Sequence, residues 1–194
     1  MDGIPYTDRL VPSAPGADAA ALTDPACHHD VMEPTEVADE LDKPLAGQLL
    51  RGSPLMRLAY VGLDGTPRVI PIAYLWKDRR IVVCTTPTSG KVKALRQSPA
   101  VAVTIDYDGQ PTRALLLRGV ASIEVIDGVP QEYLEASLKT QSARGADDFE
   151  GEVRAMYDSM ARITITPTWA RLNDFETALP KDVERIARQK GLLG

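Results

Sequence analysis

The chain has 194 residues, 44 % of them hydrophobic and 25 % charged, with a formal net charge of −5. That mixture fits one globular domain with an appended arm and argues against wholesale disorder, collagen or a coiled coil. No run of eighteen apolar residues occurs, so no membrane-spanning helix is expected, and the acidic balance argues against nucleic-acid binding.

The charge is uneven. Residues 1–45 hold ten acids and two bases, leaving a mildly basic remainder. Before Thr35 neither an apolar period of 2 nor one of 3.6 is visible, and Pro12, Pro15, Pro25 and Pro34 punctuate the run. Residues 1–34 therefore read as an extended or disordered acidic arm, and residues 35–194 as the folded domain. The first ten residues lack a basic stretch followed by an apolar run, and two cysteines are too few for a disulfide framework. A cytoplasmic protein is expected. Cys27, His28, His29 and Asp30 are clustered, but no second ligand cluster follows at a zinc spacing, so no metal site is assigned.

In chain order, Asp42 can cap a helix that Pro44 opens, with Leu45, Leu49 and Leu50 on one face, and Gly52, Ser53 and Pro54 stop it. Residues 56–61 and 68–76 read as strands joined by a turn centred on Asp64-Gly65. After a polar turn at Lys77-Asp78-Arg79 come strands at 80–85, 101–107 and 113–126, the last expected to bend near Gly119. A sixth covers 162–166 and extends toward Leu172. Helices are predicted near 89–97, 130–140, 147–160 and 181–190. Six strands joined mostly by tight turns indicate a mainly β, antiparallel barrel with peripheral helices. Cys84, Tyr74 and Trp76 fall in apolar strands and read as packing residues.

The informative segment runs from Thr85 through Thr86, Ser89, Gly90, Lys91 and Lys93 to Arg96. It leaves a strand and opens a helix, with Ser89 or Thr88 suited to the N-cap. Lys91 and Lys93 then occupy the first turn, where the helix already carries partial positive charge, and no acid lies in the segment. A phosphate placed there would satisfy both lysines and the free backbone N–H groups. The plainer alternative is a solvated face. A P-loop is excluded, because Thr85 stands where its first glycine belongs and Val92 follows the lysine. The only histidines are His28 and His29, so no Ser–His–Asp arrangement can form in the predicted domain.

Several stretches together resemble the flavin-nucleotide-binding split-barrel proteins related to pyridoxamine 5'-phosphate oxidase. They are Leu58-Ala59-Tyr60-Val61-Gly62-Leu63-Asp64-Gly65-Thr66-Pro67-Arg68-Val69-Ile70-Pro71-Ile72, Ile81 to Thr86, Ser89-Gly90-Lys91 to Leu95, and Ser98 to Val103. The resemblance implies a six-stranded antiparallel split barrel that forms a homodimer with FMN in a groove between subunits. It implies Ser89 and Lys91 as phosphate ligands, with Lys93 beside them, and Thr85 and Thr86 at the strand end near the cofactor. Arg68, Val69 and Ile70 would lie along the flavin, and Trp169 would either stack near its edge or fill the barrel end or the dimer seam. The Arg-x-His substrate motif of the oxidase itself is missing, since Trp169-Ala170-Arg171-Leu172-Asn173 contains no histidine. The resemblance thus implies an FMN-dependent oxidoreductase other than the oxidase, acting by hydride transfer on a small organic substrate. Related branches bind the deazaflavin coenzyme F-420 or haem, so a deazaflavin-dependent reductase and a non-catalytic flavin- or haem-binding protein are the alternatives. No catalytic residue is singled out.

Overall fold

The computed structural model describes residues 32–107, 109, 111–140, 149–176 and 181–192. Of the acidic arm, only Met32 to Pro34 fall within that set, and Cys27, His28 and His29 lie outside it. Met32 packs against the main core.

The first helix, α1 (Pro34–Asp42), begins earlier than the sequence pattern suggests. Its start is set by a capping box, in which the Glu33 N–H donates to Glu36 Oε2 at 2.7 Å, and by Pro34 in the first turn. Only Val37 and Leu41 bury their side chains, too few to show a period. Asp42 consequently ends α1 instead of capping the next helix, and its carboxylate accepts from Arg79 at 2.7 Å. The second helix, α2 (Pro44–Gly52), buries Ala46, Leu49 and Leu50.

The strands are β1 (Leu55–Val61), β2 (Pro67–Ala73), β3 (Leu75–Lys77), β4 (Arg80–Thr85), β5 (Ala100–Tyr107), β6 (Arg113–Asp127) and β7 (Ser159–Asp174). They form one antiparallel sheet in the order β2-β1-β5-β6-β7-β4-β3. Among the described residues there are seven strands and not the expected six, because the predicted strand 68–76 breaks at Tyr74. Its first part pairs with β1 and its second part with β4, at opposite ends of the strand order. One bent segment therefore supplies both edges, which curls the sheet toward closure as a split barrel. Tyr74 is fully buried at the bend and donates its hydroxyl to the Leu49 carbonyl at 3.1 Å, tying the corner to α2. Inside lie Leu50, Met56, Leu58, Ile81, Ile105, Leu115, Ile163 and Ile165.

The expected bend near Gly119 is a register shift between Arg118 and Gly119. A Cβ on Gly119 would sit 2.5 Å from the Thr166 carbonyl oxygen, so the close approach of β6 and β7 requires glycine. The last strand is longer than expected: Ser159 and Met160 belong to β7, and the preceding helix, α5 (Phe149–Met156), stops short of them. With α4 (Gln131–Leu138), α5 covers a smaller cluster of Val129, Leu134, Val153 and Met160. Cys84 packs against that cluster, and burial pushes its thiol up to about 12. Two further helices are α3 (Gly90–Gln97) and α6 (Lys181–Gln189). Among the described residues no helix is long and apolar enough to cross a membrane.

Candidate functional site

The β1–β2 hairpin turns on Asp64 and Gly65, and Gly65 takes a left-handed φ of 76° that favours glycine. Asp64 Oδ1 accepts the Thr66 N–H at 3.1 Å and the Thr66 hydroxyl at 2.8 Å, while Oδ2 accepts from Arg68 at 2.7 Å. These bonds, the Thr66 pair foremost, hold the Asp64 carboxyl below the usual carboxylate range. Arg68 also donates to Thr66 Oγ1 at 2.6 Å, so the turn fixes where its guanidinium lies.

On the other side, β4 ends at Thr85 and α3 starts at Gly90. Ser89 occupies the N-cap, and its carbonyl accepts from Val92 at 3.0 Å and from Lys93 at 3.3 Å. Its hydroxyl does not cap the helix. Instead Lys91 folds back, and its ammonium donates to Ser89 Oγ and to Thr85 Oγ1, both at 3.1 Å. Lys91 is half-buried and makes no ion pair among the described residues, and burial lowers its pKa from the ordinary 10.5. A desolvated ammonium and the positive end of a helix thus share one spot with no carboxylate beside them.

Between the hairpin and the helix runs a groove of about 820 Å³. Arg68, Ile70, Ser89 and Lys91, all singled out in the sequence, line it together. Thr85 reaches it through its bond to Lys91, and the Thr86 carbonyl accepts the Ser89 N–H at 3.1 Å. The others are placed differently. Val69 lies on β2 with 65 % of its surface exposed, outside the lining, and Lys93 points to solvent. Trp169 is buried on β7, outside the lining, with the guanidinium of Arg118 4.3 Å and that of Arg171 5.4 Å from its ring centroid. Tyr60, Gly62, Asp64 and Ala94 also line the groove and were not singled out. The hairpin register was the available signal: counting back from the Asp-Gly turn pairs Tyr60 with Arg68. Gly62 has a steric role, since a Cβ there would come within 2.8 Å of Asp64 Oδ1.

Chemically, the helix end of the groove offers donors. Each hydroxyl, having accepted from Lys91, keeps its own proton to donate, and the ammonium and the first-turn N–H groups point the same way in charge. Such a set fits a phosphate. Tyr60, Asp64, Arg68 and Lys91 are the ionisable residues lining the groove, and Asp64 and Arg68 are paired to one another. Among the described residues, no other ionisable side chain lines the groove.

The family model for pyridoxamine 5'-phosphate oxidase matches residues 43–174. The chain belongs to the pyridoxamine 5'-phosphate oxidase family. The fold is similar to the solved structure of an F-420 reductase, with 23 % identity, a TM-score of 0.50, and coverage of 64 % of this chain and 94 % of that one. It is likewise similar to a conserved hypothetical protein of Mycobacterium tuberculosis, with 23 % identity, a TM-score of 0.52, and coverage of 78 % and 92 % respectively. A search of curated protein sequences finds no match.

Proposed function

We propose that this family member is a flavin-dependent oxidoreductase that works as a homodimer and holds FMN in the groove between the β1–β2 hairpin and α3. The observation that carries the reading is Lys91, a half-buried ammonium held by two hydroxyls at a helix N-terminus without a counter-charge. Lys91, Ser89 and Thr85 would hold the phosphate, with Lys93 adding charge from solvent. The backbone at Thr86 and the β2 stretch Arg68, Val69 and Ile70 would hold the ring system, because β2 is an edge strand with one side unpaired. Trp169, lying outside its own chain's groove, would reach a cofactor only from a second copy. When bound, FMN supplies hydride transfer, so the protein's task is to position the reactants and exclude water.

The similarity to an F-420 reductase favours a second reading, in which the groove takes the deazaflavin coenzyme F-420. The donor set serves either cofactor, since both carry a phosphate. A visible absorption spectrum of the purified protein, before and after adding FMN, the deazaflavin and haem separately, decides between them. Flavin bands that survive desalting support FMN, and uptake of the deazaflavin alone moves the assignment to it. Uptake of haem alone, or of none of the three, overturns the proposal.

A further inference from the structure

A second cavity, of about 660 Å³, adjoins the groove, and Pro71 of β2 lines both. Its apolar wall comes from Leu45 and Leu49 of α2 and from Leu55 at the start of β1, with Leu55 leaving 42 % of its surface exposed. Three charged residues face it, and each makes an ion pair, although the buried Nε of Arg113 has no hydrogen-bond partner among the described residues. Arg57 is paired with Asp106. Arg113 is paired with Glu176, and its Nε lies 3.5 Å from Asp174 Oδ1. The balance is the opposite of that at Lys91. An anion entering this cavity would compete with a carboxylate at either guanidinium, and a cation would meet two guanidinium groups. Gln48 and Ser53 add neutral hydrogen-bonding groups. The volume lies in the range of about 300–1,000 Å³ usual for small-molecule sites.

We propose that this cavity binds the second reactant of the neighbouring groove, and that this reactant is an uncharged, largely apolar small molecule. The assignment to a reactant rests on the cofactor reading above, whereas the ligand class rests on the cavity's own lining. The test uses two probes with one skeleton: neutral N-phenyl-1-naphthylamine and its sulfonated analogue 1-anilinonaphthalene-8-sulfonate, titrated by fluorescence into the full chain with and without FMN. The neutral probe is expected to bind about tenfold more tightly or better, because the sulfonate would be desolvated while competing with the carboxylates already paired to both guanidinium groups. Leu55→Asp is expected to weaken the neutral probe by about tenfold or more and leave FMN affinity within about twofold, while Leu55→Met retains both. Lys91→Ala is expected to do the reverse, losing FMN and keeping the probe. Equal binding of the two probes, or an unchanged neutral-probe affinity in Leu55→Asp, overturns the proposal. So does a wild-type dimer that binds neither probe and dissociates in Leu55→Asp, which would make the cavity a seam between copies. Probe binding that depends on Leu55 in a chain that takes up no FMN would sustain the ligand class and overturn only the cofactor reading.

Discussion

The ammonium of Lys91 is held by Thr85 and Ser89 and opposed by no carboxylate among the described residues. Hydrogen bonds to charged groups contribute about 1.5–3 kcal/mol, so Lys91→Ala should weaken FMN binding by about ten- to a hundredfold. Riboflavin, which lacks the phosphate, should lose little. Parallel fluorescence titrations of the two flavins check this, and equal losses would remove the phosphate from Lys91. The same residue sets a pH dependence. Its protonated form is the one that binds an anion, and burial lowers its pKa below 10.5 in the free protein. FMN affinity should therefore be full on the acidic side of that lowered value and fall as pH rises through it, earlier than an exposed lysine would allow. A flat FMN affinity up to the ordinary lysine range, or the same alkaline limb in Lys91→Ala, would show that another group is responsible. Elsewhere, Gly119→Ala should cost about 1–3 kcal/mol in urea unfolding, because its Cβ would press on the Thr166 carbonyl, which is backbone and cannot rotate away.

Closing the sheet depends on the corner at Tyr74, where β2 and β3 part. Tyr74→Phe keeps the ring in the core and removes one of two donors to the Leu49 carbonyl, which retains the Ser53 N–H, so it should cost about 0.5–1.5 kcal/mol at unchanged urea m-value. Loss of the m-value as well would mean that the corner governs compactness and not merely one hydrogen bond. This corner was not legible in the sequence. Residues 68–76 read as one apolar run, and what splits them is the exchange of partner from β1 to β4, a property of the closed sheet. The helix α1 was hidden for a different reason, since two buried side chains cannot establish a period and its start depends on a reciprocal Glu33–Glu36 cap. By contrast, Thr85, Ser89 and Lys91 lie within seven residues, so the donor cluster at the start of α3 could be read directly. Tyr60 and Asp64 needed the hairpin register, and the burial of Trp169 needed Arg118 from across the irregular β6–β7 pairing.

At the scale of the molecule, the groove opens beside apolar surface that one chain leaves uncovered: Val61, Leu63 and Val69 expose 41 %, 56 % and 65 % of their surface around the β1–β2 hairpin. An edge strand with apolar neighbours invites pairing with another chain unless something covers it. In the homodimer proposed above, a second copy of this chain would cover the patch and complete the groove at once, and assembly would then be linked to cofactor binding. Wild type should then sediment at twice the mass of the chain. Val69→Glu should weaken the dimer by about tenfold or more, the effect of losing one well-buried interface residue, and FMN affinity should fall with it. Val183→Glu on α6 is the control, because Val183 is exposed at 47 % yet contributes nothing to the groove's lining, and it should change neither quantity. Sedimentation and FMN titration on the same samples separate the outcomes. A monomeric wild type that binds FMN tightly would refute the dimer. A Val69→Glu dimer of undiminished stability would move the interface away from the hairpin. Dissociation without loss of FMN would show that each chain builds its cofactor site alone.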